Sequence, residues 1–340
     1  MLKNNLFIDI ESTSINQNDI KRITHPSVSG VILFTRNFIN SVQLKQLIKD
    51  VRSLKNNLII GVDHEGGRVQ RFRESFYPLP PMSMLGDIYN NDPSLANNLA
   101  KNSGWVIAKE LGLYDIDLNF SPVLDINYGN SSVIGNRSFD SKAEVVVELA
   151  SSFIEGLNYG GMAAVGKHFP GHGYIKADSH LEISTDYRSL EQIEDDLFCF
   201  DSLIKNGIQA IMPSHVIYEQ IDKNPSSMSP FWIKKVLKTK LGFKGFIISD
   251  DLSMKGVANL YPDIKNRCEH SVLAGCDLIL ICNNPDQVDK LLSQVNTVNS
   301  FIDFSPLRLK KEMNDLKTYQ GFSLEDMYQN FKKHNFSLEV

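Results

Sequence analysis

Eight short apolar runs, each about the length of a strand, recur along the chain and each stops at or beside a polar residue. They are Leu6 to Ile10, Gly30 to Phe34, Leu58 to Val62, Ile116 to Phe120, Met162 to Val165, Ile208 to Met212, Gly245 to Ile248 and Asp277 to Ile281. Most read as near-continuous Val, Ile and Leu, the pattern of strands covered on both faces in a parallel sheet. Between them lie segments with apolar residues near helical spacing: Val42 to Leu54, Ser94 to Leu111, Ala143 to Leu157, Leu190 to Ile204, Pro230 to Leu241 and Gln287 to Val295. Ser141 and Glu144 have the spacing of a capping box. Eight strands separated mainly by helices, without a tandem repeat or a low-complexity stretch, imply an α/β fold, a (β/α)8 TIM-type barrel. The whole chain, 1–340, is expected to form a single catalytic domain, with the residues after about 300 as a C-terminal extension packed on the barrel.

A net charge of -5 without any long basic block argues against nucleic acid or an anionic membrane as the partner. The amino terminus lacks a long apolar region followed by a small-residue cleavage site, and no apolar stretch approaches the ~20 residues of a membrane span. A cytoplasmic monomer acting on a small molecule is the expectation. Cys199, Cys268, Cys276 and Cys282 show no Cys-x-x-Cys pairing and read as buried free thiols, so neither a metal nor a cofactor is expected.

In a barrel, residues at the carboxyl ends of the strands face the mouth where chemistry takes place. The chain supplies Asp63 after the third run, Asn119 at the end of the fourth, Lys167 and His168 after the fifth, Ser214 and His215 after the sixth, Asp250 and Asp251 after the seventh, and Asn283 after the eighth. Helix caps account for Ser, Asp or Asn at such positions, but caps have no use for lysine or histidine. The loop from His168 to His180 adds two more histidines, Lys176 and Asp178, interrupted by glycines. An aspartate leaving an apolar strand suits a nucleophile, a base or a metal ligand. Since Asp250 and Asp251 are adjacent, strand alternation sends only one of them toward a given reacting centre.

Four ordered motifs carry a resemblance: Val62-Asp-His-Glu-Gly-Gly-Arg-Val-Gln-Arg-Phe72, Asn136-Arg-Ser-Phe139, Gly166-Lys-His-Phe-Pro-Gly-His-Gly173 with Ala177-Asp-Ser-His180, and Ser249-Asp-Asp-Leu-Ser-Met254. Together they resemble the family 3 glycoside hydrolases of the cytoplasmic β-N-acetylglucosaminidase (β-hexosaminidase) type. The resemblance implies removal of terminal β-linked N-acetylglucosamine from muropeptides in peptidoglycan recycling, with retention of configuration. It makes Asp250 the nucleophile and His180, partnered by Asp178, the general acid/base. It also places sugar contacts on Asp63, Arg71, Arg137, Lys167 and His168. His64 and the bulky tract Tyr174-Ile175-Lys176 depart from the expected pattern.

The chemistry agrees with that assignment. Retaining cleavage needs an anion on one face of the anomeric carbon and a proton donor at the leaving oxygen. An imidazole, with an unperturbed pKa of about 6.5, gives and then takes a proton near neutral pH. Three other readings compete. His168, His172, Asp178, His180, His215 and Asp250 are all legitimate ligands for a metal-dependent hydrolase on the same barrel, although no His-x-His follows an early strand. A neutral histidine donor would also tolerate phosphate as the attacking group, as in a phosphorylase. A non-catalytic sugar-binding barrel is the third.

Overall fold

The computed structural model of the protein describes residues 5–176, 184–295, 302–309 and 323–334. Eight principal strands follow the eight apolar runs: β1 (Leu6–Asp9), β2 (Val28–Leu33), β3 (Ile59–Val62), β4 (Leu118–Asn119), β5 (Val165–Phe169), β6 (Ala210–Pro213), β7 (Phe246–Ile247) and β8 (Ile279–Ile281). All pair in parallel. One sheet has the order β8-β1-β2-β3-β4 and a second the order β7-β6-β5. Isolated parallel bridges run from one sheet to the other at both pairs of edges: Leu118 to Ala163 and Val123 to Lys167 on one side, Ile248 to Leu278 on the other.

Two apolar clusters explain why continuous apolar runs are required. The larger packs the outer strand faces, with Leu6, Ile8, Val31 and Ile60, against helices such as Ser41–Leu54, Pro93–Leu113 and Ala143–Tyr159. The smaller gathers side chains from every strand or its immediate neighbour, including Phe7, Ile32, Ile59, Leu118, Val165, Met212, Ile248 and Leu280. Burying a ring such as Phe7 contributes about 2–3 kcal/mol. It needs Gly30 opposite, because a Cβ there would lie 2.3 Å from the Phe7 ring. Phe304 and Leu307 insert into this same cluster, and Arg308 anchors them through Asp117 at 3.2 Å and the Leu58 carbonyl. The helix Leu324–Lys333 buries Met327 and Phe331 in the larger cluster.

Most helices begin as their sequences direct. Asp92 caps Pro93–Leu113 by accepting the Leu95 amide, with proline in the first turn. The capping box expected at Ser141 and Glu144 is absent. Asp140 instead accepts the Lys142 amide at 2.9 Å, one residue ahead of the position the spacing suggested. The four cysteines are buried and free. Among the described residues, no helix is long and apolar enough to cross a membrane.

Candidate active site

The carboxyl ends of the strands converge on a cavity of about 410 Å³, whose walls include Asp63, Arg71, Arg137, Lys167, His168 and Asp250. Asp63 directly follows β3. The next residues fold back as an antiparallel pair of short strands, His64–Gly66 with Val69–Gln70, which aims Glu65 at the same cavity. Arg137 arrives from the turn Gly135–Arg137 after β4. Lys167 and His168 lie within β5, which extends further than the run Met162 to Val165 suggested. Asp250 follows β7, and Cys282 and Asn283 follow β8.

Lys167 organises the polar wall. Its ammonium, almost wholly buried, stands 2.8 Å from Asp63 Oδ1 and 2.6 Å from Glu65 Oε1. Arg137 grips Glu65 with two parallel bonds of 2.8 Å, and Arg71 approaches the second oxygen of Asp63 at 3.5 Å. Burial opposes ionisation of Asp63, but Lys167 and Arg71 outweigh it and hold the carboxyl below its ordinary value. Burial likewise works against Glu65, and Arg137 and Lys167 reverse it more strongly. Alternating cations and carboxylates therefore fix one another in place, giving acceptors and donors at set positions for the hydroxyls of a small polar ligand.

His168 is oriented from behind. Its Nδ1 lies 2.7 Å from Asp125 Oδ2, and the other oxygen of Asp125 accepts the backbone N–H groups of His168 at 3.2 Å and His172 at 2.8 Å. Burial raises the energy of the Asp125 anion, yet the two histidines pull its pKa below the ordinary value. With Nδ1 occupied, Nε2 is the His168 nitrogen left to meet a ligand. His172 also borders the cavity, and burial reinforced by His168 lowers its pKa to about 4, so it is neutral near pH 7.

Asp250 and Asp251 both border the cavity, but they are held differently. Asp251 accepts hydrogen bonds from the Ser253 amide at 2.9 Å, the Ser253 hydroxyl at 2.8 Å and the Cys282 amide at 2.9 Å, tying β7 to β8. Burial pushes its pKa up to about 7 against those bonds. Asp250 accepts the Asp251 amide at 2.8 Å through Oδ1. The pair thus divides into a cross-strand tie and a carboxylate at the cavity wall.

Sequence reasoning passed over two members of this site. Glu65 reads as part of a glycine turn, and Asp125 sits in an otherwise apolar stretch, where a lone acid was itself the available signal. The other strand-end residues have structural employment. His215 bonds Ser227 Oγ at 2.6 Å and the Asp251 carbonyl at 2.9 Å, and Asn119 clasps the His64 backbone. His64 packs beside the rings of Phe72 and Phe76, and burial lowers its pKa to about 3. It faces the core and not the cavity. Asp178 and His180 lie outside the described residues. Among those that are described, no three His, Cys, Asp or Glu side chains form a group able to hold a metal ion.

One stability consequence follows from the Lys167 contacts. Lys167→Met leaves buried Glu65 and partly buried Asp63 with one cation fewer, and should cost roughly 3 kcal/mol at pH 7. The two carboxyls have folded pKa values below their unfolded ones, so their stabilisation is present above about pH 4 and is lost as pH falls below it. Urea unfolding should therefore show the full deficit at pH 7 and a smaller one only well below pH 4.

Comparison with known proteins adds to this geometry. Residues 5–309 match the family model described as glycosyl hydrolase family 3 N terminal domain. A protein from Methylobacillus flagellatus named beta-hexosaminidase is 50% identical over 292 residues, covering 85% of this chain and 83% of that protein. A crystal structure of NagZ from Neisseria gonorrhoeae in complex with zinc ion superposes with a TM-score of 0.81 at 44% identity, over 88% of this chain and 87% of that one. Another structure of that protein, in complex with N-trifluoroacetyl-D-glucosamine, gives a TM-score of 0.83 at 40% identity, over 98% of this chain and 96% of that one.

Proposed function

The chain belongs to glycosyl hydrolase family 3 and is a glycoside hydrolase of the β-N-acetylhexosaminidase class, and from that premise we propose that it is a retaining exo-β-N-acetylglucosaminidase. Its substrates on this reading are muropeptides of the N-acetylglucosaminyl-1,6-anhydro-N-acetylmuramic acid type, and its place is peptidoglycan recycling in the cytoplasm. The observation that carries the reading is one cavity bordered both by the Asp63, Glu65, Lys167 and Arg137 network and by Asp250. A pyranose presents a ring of hydroxyls, and that network offers fixed, charged hydrogen-bonding groups in the same cavity as the Asp250 carboxyl.

In the proposed mechanism an oxygen of Asp250 bonds to C1 while the bond from C1 to the leaving oxygen breaks, and His180 gives its proton to that oxygen. Water then attacks C1, passes a proton to His180 and releases the Asp250 carboxylate, leaving the β anomer. Asp178, two residues before His180, orients the imidazole and favours its charged form. Asp63, Arg71, Arg137, Lys167 and His168 hold the sugar, so that binding energy places C1 against Asp250.

A closed eight-stranded barrel is the architecture we infer, supported by the bridges joining the two parallel sheets at both edges and by a small cluster fed from all eight strands. On the same reading the chain is one catalytic domain acting as a monomer. The residues after about 300 are a packed extension, supported by the seating of Phe304, Leu307 and Phe331.

Trapping tests the chemistry directly. A slow fluorinated N-acetylglucosaminide should leave its sugar on the peptide containing Asp250. A label on another carboxylate, or a product first released as the α anomer, would overturn the covalent mechanism.

A further inference from the structure

Outside the sugar cavity, Arg188 is buried in a cluster that the chemistry above does not use. Its Nε and Nη2 lie 3.0 Å and 2.8 Å from Asp186 Oδ2, and its Nη1 donates to Asp196 Oδ2 at 2.9 Å. The Tyr128 hydroxyl donates to the same Asp196 oxygen at 2.9 Å. The guanidinium also lies over two rings, 4.3 Å from the centroid of Tyr174 and 5.1 Å from that of Tyr128, which themselves meet edge to face at 5.5 Å.

The sequence positions of these partners give the cluster its meaning. Tyr174 stands at the outgoing end of the stretch 177–183, and Asp186 stands at its returning end. Each end has a second attachment to the fold. On the outgoing side the Tyr218 hydroxyl donates to the Gly171 carbonyl. Gly171, at φ 152°, leaves room for the Asp196 carboxyl that a Cβ would meet at 2.5 Å. On the returning side the Ile217 amide donates to the Ser184 carbonyl at 2.9 Å, and Thr185–Asp186 pairs with Ile217–Tyr218. One cation thus joins both ends to each other and to the helix Glu194–Lys205 through Asp196. The unexpected bulk of Tyr174 also gains a reason, because a small residue there offers the guanidinium no ring face.

We propose that Arg188, held against Tyr174 and Asp186, is a positioning residue that sets the spacing of the two ends between which His180 is carried, and so where its imidazole meets the leaving oxygen. The proposal rests on the reading of His180 as the general acid. Protonation of a leaving group demands placement well within an ångström, so a small change in end spacing costs rate without changing how the sugar binds.

The test compares Tyr174→Leu, Arg188→Lys and His180→Ala with the unaltered protein on two N-acetylglucosaminides, one with an alkyl leaving group and one with a dinitrophenyl group. Tyr174→Leu removes one ring and leaves every carboxylate contact of Arg188, so it stays informative if Arg188→Lys does not fold. Expected in Tyr174→Leu is a fall of about tenfold in kcat/KM on the alkyl glycoside and under about twofold on the dinitrophenyl one, with KM for both little changed. Arg188→Lys keeps the charge but not the planar fork, and should show the same selective loss. No loss, or equal losses on both substrates, would overturn the proposal when His180→Ala loses selectively on the alkyl glycoside. Equal losses in His180→Ala would remove His180 from the acid role, and the positioning role would fall with it.

Discussion

Asp250→Ala should abolish turnover, lowering kcat by roughly 10⁵-fold while leaving the fold intact. The size follows from the proposed chemistry: without a carboxylate at C1 no glycosyl-enzyme forms, and only binding and proton donation remain. Retention of the fold follows from the structure. At the end of β7 it is Asp251 that accepts the cross-strand Cys282 amide, along with the amide of Ser253 two residues on. Melting temperature and far-ultraviolet circular dichroism should match the parent within error. Azide added to the variant should restore a fraction of the rate and give the α-glycosyl azide, since it attacks from the vacated side. The corresponding change at Asp251 should do the opposite, lowering the melting temperature because it removes acceptors for three donor groups. A variant at Asp250 that keeps more than about a hundredth of the parental kcat would contradict the nucleophile assignment.

His180→Ala should separate substrates by their leaving groups. For an alkyl or disaccharide aglycone, whose departing oxygen must be protonated, kcat/KM should fall by about 10³-fold. For a dinitrophenyl glycoside, whose leaving group departs as a stable anion, the fall should stay within about tenfold. The comparison is made on kcat/KM because that ratio reports the first chemical step, before His180 is needed as a base. The alkaline limb that a histidine acting as acid lends to the pH profile, because it must carry its proton, should also disappear from the alkyl substrate. Equal losses on both substrate classes would show that the imidazole does not deliver the proton.

The legibility of this molecule divides along physical lines. The strands were readable because each must be apolar on two faces, and Val28–Leu33 and Ile59–Val62 carry no charged residue that a helix would place outward. β5 ran further than its apolar run because Lys167 and His168 find buried partners in Asp63, Glu65 and Asp125, contacts more than 40 residues away in sequence. Propensity sees no such partner. The helix Ile264–Ala274 was invisible for a related reason: its sequence, IKNRCEHSVLA, hides a buried Arg267 that bonds the Leu252 carbonyl and Gln287. At the site, residues in motifs or at strand ends, such as Asp63, Lys167 and Asp250, stood out by type and position. Asp125 did not, because its part is to aim another side chain, and a lone acid in an apolar stretch was its one signature.

The cavity walls have a further consequence for what arrives there. Arg68, Arg71, Arg137 and Lys167 face Asp63, Glu65 and Asp250, with Asp251 partly ionised near pH 7 beside them, so basic and acidic groups come close to balance. Such a balance cancels at a distance, so the opening exerts little long-range pull on an ion approaching through solvent. A neutral sugar therefore loses nothing to anionic metabolites in the encounter. Selection is deferred to the last few ångströms, where matching hydroxyls one by one replaces bound water.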